Sequence, residues 1–134
     1  MATLPLFGGC ACGNIRYRVS VTPLDTGYCH CRLCQRTSGA PVLAWARVPI
    51  AEFRYLSGEP SIYRSSAWGE RRFCPSCGTQ VEFRLADKPE YVELNFVTLD
   101  EPDVIEPKMH IWCSSRLPWL ELGDSLPRYD EEQP

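Results

Sequence analysis

The chain has 134 residues, 44% of them hydrophobic and 23% charged, with a formal net charge of −3. That composition belongs to a folded domain rather than a disordered segment, and the length suits one domain with a modest core. The acidic balance and the lack of any basic run argue against nucleic acid as a partner, and no stretch approaches the eighteen apolar residues a membrane span needs.

Met1 to Gly9 has neither a basic start nor a long apolar run, so no secretory signal is read there and the cytoplasm is the expected compartment. The stretch Phe7-Gly8-Gly9-Cys10-Ala11-Cys12-Gly13 opens the domain, its glycines allowing a tight fold around a metal. Residues 14–21 alternate, with Ile15, Tyr17, Val19 and Val21 on one side, and predict a half-buried strand. A turn is expected over 23–27. Cys29-His30-Cys31-Arg32-Leu33-Cys34 follows, with one or two helical turns over 32–38 closed by Gly39 and Pro41.

Residues 42–48 are apolar on both faces and predict a central strand. Weaker strands are expected over 51–55 and 61–64, on either side of the turn Ser57-Gly58-Glu59-Pro60. Cys74-Pro75-Ser76-Cys77-Gly78 has the form of a metal knuckle. Residues 79–85 place Val81, Phe83 and Leu85 on one face; residues 91–97 do the same with Val92, Leu94 and Phe96, and 87–90 is a hairpin loop. A short strand is expected over 108–113, and the polar residues 123–134 are expected to fray. The expected fold is mainly β: a small single domain over 1–122, built of short antiparallel strands stapled by zinc, with few short helices.

Eight cysteines in tight C-x-C and C-x-x-C groups point to metal rather than disulfides in a cytoplasmic chain. Seven fall into three groups, 10/12, 29/31/34 and 74/77. The two pairs complete one tetrahedral site at Cys10, Cys12, Cys74 and Cys77, and the triplet Cys29, Cys31, Cys34 becomes a second site with an open position. Alternatively Cys113 closes the second site as a fourth ligand. His30 is discounted as a ligand because neighbouring side chains diverge, and His110 beside Trp112 reads as a hydrogen-bonded core residue. Three thiolates make zinc a weak Lewis acid towards water but a suitable host for another thiol, held as thiolate at neutral pH. The expected chemistry is thiol activation. Hydrolase signatures are lacking.

Three ordered segments carry a family likeness: Gly8-Gly9-Cys10-x-Cys12-Gly13-x-Ile15-Arg16-Tyr17, Cys29-His30-Cys31-x-x-Cys34-Gln35-Arg36-x-Ser38-Gly39-Ala40, and Phe73-Cys74-x-x-Cys77-Gly78-Thr79-Gln80. With Pro107-x-x-His110-Ile111-Trp112 and Pro118-Trp119, the chain resembles the glutathione-dependent formaldehyde-activating enzyme family, which includes centromere protein V, over roughly residues 7–120. The resemblance implies two zinc ions: a structural one on Cys10, Cys12, Cys74 and Cys77, and a catalytic one on Cys29, Cys31 and Cys34. It also implies a carbon–sulfur lyase that joins formaldehyde to glutathione. Cys113 departs from the expected pattern. Arg36, Arg47, Arg116 and Lys108 are candidates for a substrate carboxylate, although each reads more simply as a solvated surface charge. The competing functions are a non-enzymatic zinc module for a protein partner, and a redox or metal-buffering role for the triplet.

Overall fold

A computed structural model describes residues 3–134. β1 (Leu6–Gly9), β2 (Arg16–Val19) and β5 (Phe53–Ser57) form an antiparallel sheet in the order β1-β2-β5. Ile15, Tyr17 and Val19 turn inward with 1% exposure or less, as the alternation of residues 14–21 predicts. The second sheet has seven strands. β3 (Asp25–Cys29), β4 (Leu43–Pro49), β6 (Ser61–Ser66), β7 (Gly69–Phe73), β8 (Gln80–Leu85), β9 (Tyr91–Asn95) and β10 (His110–Ile111) follow the order β10-β3-β4-β9-β8-β7-β6. The chain is mainly β, and β4 takes the central place its two apolar faces demand.

The main core includes Leu6, Tyr17, Val19 and Phe53 from the small sheet and Ala46, Val48, Val92 and Leu94 from the large one. Because side chains alternate across a strand, the opposite face of the large sheet carries Trp45 and Arg47 from β4 and Glu93 and Asn95 from β9, with Trp45 opposite Asn95 and Arg47 opposite Glu93. This second face forms the wall of the site described below.

The strands pair antiparallel as expected, apart from the two-residue β10, which lies parallel to β3. Three expectations need correction. Residues 25–27, read as a turn, are the start of β3, which pairs with β4 from Asp25 opposite Arg47 to Cys29 opposite Leu43. In β8, Val81, Phe83 and Leu85 do not share a face. Phe73 pairs with Gln80 while Arg72 pairs with Glu82, so Val81 is an extra residue and the side-chain phase flips there. Val81 enters the core, Glu82 is buried beside it with its carboxylate accepting from Tyr55 Oη at 2.6 Å, and Phe83 and Leu85 turn to the other face.

The last correction is the tail. His110 N donates to Pro127 O (2.8 Å), Tyr129 N to His110 O (2.9 Å), Trp112 N to Glu131 O (2.9 Å) and Cys113 N to Tyr129 O (3.0 Å). Residues 127–131 therefore supply backbone partners to β10 and the segment after it, and do not fray. Among the described residues, no helix is long and apolar enough to cross a membrane.

Candidate functional site

The two distant cysteine pairs meet. The ligand atoms of Cys10, Cys12, Cys74 and Cys77 all lie within 4.8 Å of one another, and the four could hold a metal ion. The sulfurs of Cys10 and Cys12 are 3.5 Å apart, and those of Cys12 and Cys74 are 3.7 Å apart. A tetrahedron of sulfurs about 2.3 Å from a central ion has edges of about 3.8 Å, so the donor set fits such an ion. All eight cysteines are free thiols.

Local backbone geometry prepares each half. Cys10 O accepts from Gly13 N (3.1 Å) and Cys74 O from Gly78 N (2.8 Å), and both glycines adopt the left-handed region, φ 83° and 81°. Backbone N–H groups and hydroxyls surround the sulfurs. Ile15 N donates to Cys10 Sγ at 3.2 Å, and Cys77 Sγ lies 3.2 Å from Thr79 Oγ1. The Thr79 side chain, followed by its backbone N–H, holds the Cys77 thiol down to about 5. Ala11 N also donates to Thr79 Oγ1 (3.1 Å) and Asn14 Nδ2 to Ser76 Oγ (3.1 Å), locking the two loops together.

The triplet lies on the other side of the large sheet. Cys29 ends β3, and Cys31 and Cys34 belong to the first turn of α1 (Arg32–Ser38), which ends at Gly39 as expected. Cys29 and Cys34 sulfurs are 3.6 Å apart, close to the tetrahedral edge, but the triplet is not gathered as the four cysteines are: among the described residues, the four-cysteine cluster is the one group of three or more such ligands close enough together to hold an ion. Hydrogen bonds from Cys29 and then Cys34 pull the Cys31 thiol down, while those with Cys31 and Cys34, and then burial, push Cys29 up. Arg71 Nη2 approaches Cys34 Sγ at 3.6 Å and its guanidinium lies over the Phe83 ring, 4.7 Å from the centroid.

The three cysteines line a cavity of about 520 Å³. Its walls come from alternate residues of β4, β8 and β9 together with Leu33, Trp68, Ile111 and Trp112. Trp112 reaches it from a left-handed backbone, φ 57°, which is uncommon for a bulky residue. Of the four basic residues read as carboxylate candidates, Arg36, Lys108 and Arg116 are exposed and lie outside the lining. Arg47 lines the cavity but is paired, 2.6 Å from Glu93 and 3.6 Å from Asp25. Sequence reading missed Arg71 as a site residue: it is 5% exposed, and only the pairing of β7 with β8 brings it to the triplet. A charged residue placed just before a knuckle gives no local signal of this.

His30 and His110 turn away from the sulfurs. Both are fully buried. His30 Nε2 lies 2.8 Å from His110 Nδ1, and His110 Nε2 lies 3.0 Å from each carboxylate oxygen of Asp124. The carboxylate only accepts, so the proton of His110 sits on Nε2 and its Nδ1 accepts from His30. His110 is the hydrogen-bonded core residue its setting suggested. Cys113 is half-buried, and the groups acting on its thiol are Arg128, Tyr129, Asp130 and Arg116 rather than the triplet.

The sequence pattern of the family described as glutathione-dependent formaldehyde-activating enzyme matches residues 5–115. The chain belongs to that family. A protein of Halomonas elongata, named provisionally as a glutathione-dependent formaldehyde-activating enzyme, is 28% identical over 127 residues, covering 87% of this chain and 80% of its own length. An uncharacterised lyase of Schizosaccharomyces pombe is 30% identical over 78 residues, 57% of this chain and 55% of the yeast protein. A crystal structure of a Rhodobacter sphaeroides protein shares the fold with a TM-score of 0.62 at 24% identity, over 76% of this chain and 97% of that one. The family's cysteine motifs are thus seen here in a chain whose two cysteine groups occupy opposite sides of one sheet.

Proposed function

We propose that the chain is a zinc-dependent enzyme of the carbon–sulfur lyase type, activating a small thiol at Cys29, Cys31 and Cys34 for reversible addition to formaldehyde or another small electrophile. The observation that carries this reading is the position of the triplet: the three thiols stand in the wall of a 520 Å³ cavity, whereas the four-cysteine cluster lies where two loops meet, with Cys10 and Cys74 buried and Cys12 and Cys77 exposed. Cys10, Cys12, Cys74 and Cys77 are assigned a structural zinc, and the triplet a second one. Zinc held by three thiolates supplies an open position and enough positive charge to keep a substrate thiol deprotonated.

The chain's own groups do the rest. Arg71, set against Cys34, offsets the negative charge gathered at the sulfurs. Trp45, Phe83 and Trp112 exclude water from the reacting sulfur. In the reaction the thiolate sulfur forms a bond to the carbonyl carbon, the carbonyl π pair moves to oxygen, and that oxygen takes up a proton; the reverse expels the thiolate. Glutathione is the thiol suggested by the family's name, and the free state of all eight cysteines suits the cytoplasm.

The test is a titration of cobalt-substituted protein with 2-mercaptoethanol and with glutathione. The thiolate-to-metal absorption should increase as thiol is added, and that increase should be absent in Cys31→Ser. Added formaldehyde should then be consumed faster than in the uncatalysed reaction. Thiol binding without acceleration would leave thiol activation standing with a substrate pair other than those tested; no thiol binding between about pH 6 and 9, a range spanning the thiol pKa of about 8.5, would overturn the assignment.

A further inference from the structure

The cavity wall is dominated by apolar and aromatic side chains, among them Leu33, Leu43, Trp45, Trp68, Phe83 and Trp112. Its charged groups do not suit an acidic ligand. Three carboxylates, Asp87, Glu93 and Glu132, line it against two guanidiniums, Arg47 and Arg71. Arg47 already serves Glu93 at 2.6 Å and Asp25 at 3.6 Å. Arg71 is engaged by Cys34 and the Phe83 ring, leaving one buried donor, Nε, without a partner. One guanidinium pairs with at most one of the two carboxylates of glutathione, and both would face the like charges of the lining.

Two further polar atoms in the lining residues lack partners: Glu93 Oε2, an acceptor, and Trp45 Nε1, a donor. Both are buried, so each is costly unless a ligand or water meets it. Glu93 Oε2 calls for an N–H or O–H donor and repels a carboxylate. Trp68, 70% exposed, forms part of the lining and offers an open aromatic surface. The geometry points to a thiol substrate with an apolar, aromatic-sized body and a neutral or cationic polar end, in preference to glutathione. This rests on the assignment of the triplet as the thiol site.

Tryptophan fluorescence provides a readout independent of turnover, because three tryptophans line the cavity. The metal-replete protein would be titrated with 2-phenylethanethiol, 3-mercaptopropionate, glutathione and ethylbenzene. The expected order places 2-phenylethanethiol tightest, about tenfold or more below glutathione in Kd, since burying a phenyl ring adds that much where a carboxylate adds nothing. Trp68→Ala should weaken 2-phenylethanethiol severalfold and leave glutathione unchanged. Asp87→Asn combined with Glu132→Gln should tighten 3-mercaptopropionate and narrow the gap. If glutathione binds as tightly as 2-phenylethanethiol, the substrate class is wrong while thiol activation stands. If 2-phenylethanethiol binds no better than ethylbenzene, the sulfur makes no contribution, and the thiol site falls together with the inference built on it.

Discussion

His30 is set between two cysteines and yet does no work on the sulfurs. Its ring has no exposed surface, and its only partner is His110, which leaves Nδ1 buried and bare. Burial, and then the neighbouring His110, depress its pKa to about 4. An unfolded histidine titrates near 6.5, so below that pH the unfolded chain takes up a proton that the native ring refuses. Stability present above pH 6.5 is therefore lost as pH falls, on the order of 1–2 kcal/mol between pH 7 and 5. Urea unfolding of the chain and of His30→Gln at both pH values checks this: the variant should have the shallower slope, and equal slopes would refute it. Cys113 poses the opposite case. Its thiol is half-buried and raised by burial, with no sulfur among the groups acting on it. Cys113→Val should retain full metal content and change stability by less than about 1.5 kcal/mol. Loss of one metal equivalent would restore Cys113 as a ligand.

At the scale of elements, the two cysteine groups join different things. The 10/12 and 74/77 loops are separated by some sixty residues, and Cys74 is fully buried in the main core. An ion held there would tie the small sheet to the β7–β8 hairpin, and its binding free energy would be folding free energy. The triplet spans only the junction of β3 and α1, which other contacts already hold: Gln35 Nε2 donates to His30 O at 3.0 Å, Ser38 Oγ to Cys34 O at 2.6 Å, and Gln80 Nε2 to Thr37 O. Cys74→Ser should give insoluble or unfolded protein. Cys31→Ser should give folded protein with one metal fewer, as read by circular dichroism and metal analysis. Two variants that behave alike would mean the cysteines are divided wrongly.

At the scale of the whole molecule, the tail completes the edge of the large sheet. Asp124 is the outermost acceptor of the buried histidine pair, Glu132 reaches the cavity lining, and Gln133 Nε2 donates to Asp25 at 3.0 Å. Ending the chain at Leu122 would strip β10 of its backbone partners and leave His110 Nε2 buried without an acceptor. A loss of about 3 kcal/mol or more is expected from several such groups, measured as a shift in the urea midpoint. An unchanged midpoint would return the tail to the fraying role that its polar composition suggests.

Much of this was legible in the sequence because it is local. The C-x-C and C-x-x-C spacings bring the sulfurs of 10/12 and of 74/77 together, and the C-x-C-x-x-C segment brings Cys29 to Cys34. The glycines at 13, 39 and 78 mark chain reversals, and the alternation of Ile15, Tyr17 and Val19 sets which face is buried. These depend on neighbours within a few residues, and they also identify the family. What only the tertiary structure decided is non-local: the extra residue at Val81 that sends Phe83 and Leu85 to the cavity, the pairing that carries Arg71 to Cys34, and the tail laid against β10. Each depends on which strands become neighbours across roughly ten to eighty residues. A residue's own type and its immediate neighbours do not encode that choice; it is made by the register that buries the most apolar surface while leaving the fewest backbone groups unpaired.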